Sequence, residues 1–299
     1  MARYLIPLST ELRKNRGVEK SVKQWKRVKP EIEVLEKAGF LNLSLYLIKN
    51  RVDVIIYQDA KTLFKTFFLA KLLRKKTVLV LRNVYHIKGG IKFRILRFLF
   101  ERVDHIICIS EFIREELTGL SRKSGISVVS NFLDLDKYRP LGLEREKNSV
   151  LFVGYLGEEK GIVEYLRASA HLRDFHFYVM GDGPLRDKVR DYDVTDLGWL
   201  DEEELIYWYN RVELVVVPTS GGHEGFNRVA MEAMACGANV LVSENVPCPV
   251  PEGKYILAKA IECSIKEDAG AEMRRFAEQN FSDRHMQEVE RILEEVLTP

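Results

Sequence analysis

Short apolar runs alternate with amphipathic stretches along the whole chain, which predicts strands and helices following one another. In the first half, strands are predicted near Arg3–Leu8, Asp53–Tyr57, Thr77–Leu81, His105–Ile109 and Ser127–Val129. Helical periodicity fills 18–28, 60–75, 90–102 and 111–118, whereas 31–50 fits neither period cleanly. A stretch at 139–148 carries Pro140, Gly142 and a charge cluster and reads as a seam between two domains, 1–143 and 144–299. The alternation then resumes, with strands near Val150–Val153, His176–Met180, Val194–Leu197, Leu214–Val217 and Asn239–Val242. Helices are predicted near 161–172, 184–190, 201–210, 226–236, 258–279 and 283–297. Strand–helix alternation of this kind predicts an α/β chain with parallel sheets.

A length of 299 residues suits two domains, and 46% hydrophobic with 30% charged residues is a globular composition. No apolar run approaches the roughly 20 residues that a membrane-spanning helix needs. The opening Met1-Ala-Arg-Tyr-Leu-Ile-Pro-Leu8 is too short for a secretory leader and is expected to form a strand. Cys108, Cys236, Cys248 and Cys263 form no C-x-x-C pair and no metal-ligand spacing with histidine, so buried thiols in a reducing cytoplasm are expected. The charge is lopsided: residues 1–150 are net +15 and residues 151–299 net −13. Two halves of opposite sign imply separate tasks.

Three turns carry candidate chemistry. Phe152-Val-Gly154-Tyr155-Leu-Gly157-Glu-Glu-Lys160-Gly161 lies between a predicted strand and helix. Glycines there let backbone N–H groups approach an anion, and Lys160 suits a phosphate; a solvated lysine on an ordinary turn fits the same residues. Met180-Gly-Asp-Gly-Pro184 is a second such turn, but Arg186 stands where a dinucleotide fingerprint needs glycine. The third is Thr219-Ser-Gly-Gly-His-Glu224-Gly225-Phe226-Asn227-Arg228-Val-Ala-Met-Glu232-Ala-Met-Ala-Cys-Gly237. Glu224 stands just before a predicted helix that Gly237 ends. Glu232 lies among Ala230, Ala233 and Ala235, which predicts close packing and a buried carboxylate in need of partners. Two vicinal ribose hydroxyls would supply two donors; the alternative is a solvated pair on a surface helix.

From about residue 103 onward these motifs resemble the family-4 glycosyltransferases. Glu224 and Glu232 have that family's spacing of two glutamates, within E-G-F-x-x-x-x-x-E-A-M-A-x-G. Gly154–Gly161 is similar to its G-R-L-x-x-x-K-G turn, Met180–Pro184 to its G-D-G-P, Leu197–Leu200 to its F-L-G segment and Asn131–Pro140 to its linker. The resemblance implies the GT-B fold, two Rossmann-like domains facing each other across a cleft, with the acceptor on the N-terminal side and a nucleotide-sugar donor on the C-terminal side. It implies a last helix that packs back toward the first domain. Lys160 would contact the donor diphosphate, with Gly154 and Tyr155 beside it. Glu232 would hold the ribose, and Glu224 the sugar. Gly225, Phe226 and Asn227 would face the sugar–phosphate region. Tyr155 replaces a family arginine and Asn227 a family glycine. The family's N-domain histidine corresponds to Asn83 in the closest register, with His86 three residues on as the substitute. Retention of anomeric configuration, no cofactor and no metal are further implications.

The basic half invites an anionic partner. The run Lys61–Lys76 has helical period and places Lys61, Lys65, Lys75 and Lys76 on one side with Phe68 and Leu72, and Lys88–Arg102 mixes basic with aromatic residues. Such helices suit an anionic membrane surface, and equally two crossover helices with solvated rims. A cytoplasmic enzyme resting on the inner face of the membrane and serving a glycan or lipid-linked acceptor is therefore expected. No nucleic-acid module is present to favour that partner. A nucleotide-sugar epimerase and a non-catalytic nucleotide-sugar-binding protein stay as alternatives.

Overall fold

The computed structural model describes residues 2–9, 16–82, 90–117, 125–219, 227–243, 257–265 and 269–298. It divides into two compact units, one comprising the residues up to Phe132 with those from Asp283 on, the other Leu133–Ser282.

Unit 1 begins β1 (Tyr4–Pro7), α1 (Arg16–Val28), β2 (Glu33–Leu35), α2 (Phe40–Lys49), β3 (Val54–Tyr57) and α3 (Ala60–Leu72). It continues β4 (Lys76–Leu81), α4 (Gly90–Phe100), β5 (His105–Cys108), α5 (Glu111–Leu117) and β6 (Gly125–Val128). The strands pair in parallel in the order β2-β1-β3-β4-β5-β6, with Ile55 opposite Thr77 and Val78 opposite His105. β1 and β3 are buried along their whole length, as a parallel sheet covered on both faces requires. Asp59 caps α3 by accepting from Thr62 N at 2.6 Å. α3 stops at Leu72 because Arg74 turns left-handed (φ 54°), so Lys75 and Lys76 leave the helix and Lys76 opens β4. The expected one-sided lysine row on α3 reduces to Lys61 and Lys65.

Asp104, at the head of β5, ties three elements together. It accepts from Lys71 Nζ on α3 (2.5 Å) and from Thr77 N and Oγ1 on β4 (2.7 Å each). Burial alone would raise its carboxyl, but these donors hold it below its usual value.

Unit 2 runs β7 (Glu146–Val153), a single 3₁₀ turn (Glu158–Lys160), α6 (Ile162–His171), β8 (His176–Met180), α7 (Arg186–Val189) and β9 (Thr195–Gly198). It continues α8 (Glu202–Arg211), β10 (Val212–Val217), α9 (Arg228–Ala235), β11 (Asn239–Val242), α10 (Leu257–Ile265) and α11 (Gly270–Asn280). The parallel order is β11-β10-β7-β8-β9, so the chain reverses direction across the sheet between β7 and β10. Two departures from expectation have local causes. The helix expected over 258–279 is two helices, because the Asn239 side chain accepts from Ala269 N (3.0 Å) and the second starts at Gly270. The expected seam at 139–148 belongs to unit 2, where Asn210 Oδ1 accepts from Leu141 N (2.7 Å) and Arg145 bonds the carbonyls of Tyr209, Val212 and Cys236.

α12 (Arg284–Leu297) returns to unit 1 and packs on α1. It buries Val289, Ile292, Leu293 and Val296, and Lys29 pairs with its Glu290 and Glu294.

Candidate functional site

Ligands of open parallel sheets sit outside the carboxyl ends of the strands, where the strand order reverses. In unit 2 that point lies between β7 and β10. The turn after β7 is folded onto the end of β10 so closely that a Cβ on Gly161 would stand 1.9 Å from Pro218 O. Gly161 is left-handed (φ 74°), so two independent demands select glycine there. The neighbouring turns nest in the same way. A Cβ on Gly181 would meet Gly154 O at 1.8 Å, and one on Gly183 would meet the Leu156 backbone at 2.7 Å. Leu156 N donates to Asp182 O at 3.0 Å and Gly181 N to Gly198 O at 2.9 Å, which locks the ends of β7, β8 and β9 together. The G-D-G-P segment thus buttresses the Gly154–Gly161 turn.

Lys160 ends this turn half-buried, and burial lowers its amine below the usual lysine value, with Glu159 opposing. Tyr155 is exposed at the mouth. The chain leaving Pro218 and Thr219 leads directly into the residues that carry Glu224. Glu224, Gly225 and Phe226 lie outside the described residues, as do Asn83 and His86.

α9 starts later than the periodicity suggests, at Arg228, because Asn227 caps it by accepting from Ala230 N at 3.0 Å. Ala230, Ala233 and Ala235 are fully buried and Glu232 is 2% exposed. Its carboxylate accepts from Tyr209 Oη on α8 at 3.3 Å and lies 3.7 Å from Arg228 Nε. The Tyr209 hydroxyl is held protonated by burial and then by Glu232, and so is Tyr138, whose hydroxyl donates to Glu202 at 2.6 Å. Burial, and next Glu232, push the Cys236 thiol up to about 12, which makes it unreactive. Gly237 (φ 70°) ends the helix, as expected.

Unit 1 holds a polar cluster that sequence patterning does not single out. Gln58 follows the last residue of β3, Arg82 follows β4, and Ser21 lies on α1, so the three meet around that sheet's own reversal point between β1 and β3. Arg82 Nη2 donates to Ser21 Oγ and to Gln58 Oε1 (2.7 Å). Gln58 is 7% exposed, and its Nε2 has no hydrogen-bond partner among the described residues. The available signal was a polar residue placed directly after an apolar strand run.

Comparison with known proteins agrees with this architecture. A model described as Glycosyltransferase Family 4 matches residues 8–137, and one described as Glycosyl transferases group 1 matches residues 147–263. An uncharacterized glycosyltransferase of Methanocaldococcus jannaschii is 29% identical over 172 residues, 55% of this chain and 46% of that protein. A D-inositol 3-phosphate glycosyltransferase of Mycobacterium sp. (strain KMS) is 32% identical over 180 residues, 51% of this chain and 40% of that protein. The alignments thus span about half the length of these curated relatives or less. Among solved structures, Anabaena HepE in complex with UDP superposes with a TM-score of 0.81 at 16% identity, covering 99% of this chain and 100% of that one. Sucrose-phosphate synthase from Thermosynechococcus elongatus gives 0.80 at 17%, covering 98% and 99%. The fold is GT-B, two parallel-sheet α/β domains, and the chain belongs to the family-4 glycosyltransferases.

Among the described residues, no helix is long and apolar enough to cross a membrane.

Proposed function

We propose that the protein transfers a sugar from a nucleoside diphosphate sugar, held by unit 2, to an acceptor hydroxyl, with retention of anomeric configuration. The observation that carries this reading is the fold-over of the Gly154–Gly161 turn onto Pro218 at the reversal point of unit 2. It gathers the half-buried Lys160, backbone N–H groups and the start of the Glu224 segment at one place.

In this reading Lys160 meets the diphosphate and Glu232 the ribose hydroxyls, with Tyr209 holding the carboxylate in position. Glu224 is assigned to the sugar, and His86 is the second residue assigned to catalysis. The bond from the anomeric carbon to the phosphate oxygen breaks. The acceptor oxygen bonds to that carbon on the same face, and its proton passes to the departing phosphate. Lys160 and the backbone dipoles meet the charge on the leaving diphosphate, so the route calls for no metal. The Gln58 amide of unit 1 supplies a donor for the acceptor.

The test is calorimetric titration of UDP into wild type, Lys160→Ala and Glu232→Gln, with a parallel assay for nucleoside diphosphate release from a panel of nucleotide sugars. Loss of one charge-assisted contact should weaken binding roughly 10- to 150-fold. Unchanged affinity in both folded variants removes the donor assignment. Binding without release for any acceptor makes the protein a binder, and an epimerised donor makes it an epimerase. The anomeric coupling of the product, read by NMR, decides retention.

A further inference from the structure

We propose that unit 1 docks on an anionic lipid surface through a face built from α2, α3 and α4. The connections β2-α2-β3, β3-α3-β4 and β4-α4-β5 all step the same way across the sheet. Right-handed crossovers therefore lay the three helices side by side on one face, away from α1. α2 packs on α3, and α3 on α4.

Each helix has an inner apolar row that does the packing: Leu43 and Leu47, Leu63 and Phe67, Leu99 and Phe100. Each also carries apolar residues that the fold does not use. On α2 these are Leu41, Leu45 and Ile48, exposed by 74%, 57% and 76%. On α3 they are Phe64, Phe68 and Leu72, at 53%, 65% and 79%, and on α4 Ile91 and Phe98. The spacing i, i+4, i+7 or i+8 sets each row along one line of its helix. Phe68 and Phe98 face each other with centroids 6.2 Å apart, so the rows of α3 and α4 join. An apolar surface extending over three adjacent helices exceeds what a monomer leaves in water without a purpose.

The charges select the occupant. None of the three helices contains Asp or Glu, while Lys49, Lys61, Lys65 and Arg94 are exposed on them. Arg97 is bound to Glu101 at 2.9 Å, and Arg102 lies over the Phe98 ring at 3.7 Å. A second copy of this face would oppose cation to cation, because a two-fold interface is self-complementary. An anionic bilayer instead accepts aromatic and aliphatic tips at headgroup depth with lysines and arginines around them. The proposal concerns unit 1 alone and is independent of the donor chemistry assigned to unit 2.

The experiment is co-sedimentation of the full chain with vesicles of phosphatidylcholine alone and of phosphatidylcholine with phosphatidylglycerol, at low and high salt. UDP affinity and the thermal melt of every variant are measured alongside, so that docking and donor binding fail separately. Wild type should pellet with the anionic vesicles, less so at high salt. The variant Lys61→Glu/Lys65→Glu/Arg94→Glu should lose at least about a hundredfold in partitioning. Leu41→Ser/Ile48→Ser, which changes only exposed positions, should lose the binding that survives high salt while keeping its melt. Equal pelleting with both vesicle types, or none with either, overturns the proposal. So does concentration-dependent self-association that Leu41→Ser/Ile48→Ser abolishes, since the face would then be an interface between copies.

Discussion

The two units build the same kind of sheet but finish its carboxyl end by opposite means. In unit 2 the ends of β7, β8 and β9 are closed by backbone against backbone, with glycines wherever a Cβ would collide. In unit 1 the corresponding place holds, among the described residues, a cluster of side chains, Ser21 and Gln58 around the Arg82 guanidinium. A backbone cradle tolerates almost no substitution at a few positions. A side-chain cluster spreads the same task over residues that can be exchanged for others. Part of one sheet edge is thereby written in invariable chemistry and part of the other in adjustable chemistry.

The sharpest way to break this contrast is to put the same insult into both cradles. Gly161→Val forces a Cβ into Pro218 O at a left-handed backbone position. It should cost at least about 3 kcal/mol and abolish UDP binding. Gln58→Leu in unit 1 removes the acceptor of Arg82 Nη2 and of Ser21 Oγ and should cost less, roughly 1–3 kcal/mol, because side chains can rearrange around it without moving the backbone. Thermal melts that rank the two the other way round would remove the contrast.

A middle-sized effect separates the units by pH. Asp104 has its folded pKa lowered, so its contribution is complete at neutral pH and disappears as pH falls through the folded value. Asp104→Asn should therefore lose roughly 1–3 kcal/mol at pH 7 and progressively less as the pH falls below the ordinary carboxylate range. Urea titrations of both proteins across pH 7 to 2 check the sign; a difference that grows on acidification contradicts it.

The smallest effect tests whether Asn227 serves the helix or only a ligand. Asn227→Ala removes the α9 cap and should cost about 1 kcal/mol with no ligand present. A variant with unchanged stability in the absence of nucleotide makes the cap energetically idle.

The same contrast explains what could be read in advance. The motif residues of unit 2 were legible because close backbone approach admits only glycine, and because small residues around Glu232 announce a buried carboxylate. The ten strands found from apolar runs were legible because a two-sided parallel sheet leaves its central strands almost wholly apolar. The short edge strand β2 and the helix α2 were not. α2 is apolar on its packed side through Leu43 and Leu47, and on its outer side through Leu41, Leu45 and Ile48, so its periodicity cancels. The Ser21–Gln58–Arg82 cluster was hidden because each residue is ordinary alone and 61 positions separate the first from the last. The break between α10 and α11 was hidden because it depends on Asn239, a residue of another element.

The return of α12 to unit 1 has a consequence for biosynthesis. The helix that packs on α1 is encoded after all of Leu133–Ser282, a stretch of 150 residues. At a translation rate of about 5–20 residues per second, the ribosome needs roughly 8–30 s to add that stretch. During this interval the nascent first unit lacks the partner that supplies Val289, Ile292, Leu293 and Val296. Unit 2, continuous in the chain, can close as soon as it leaves the exit tunnel. The order of completion is thus inverted relative to the order of synthesis: the unit started first is the one finished last.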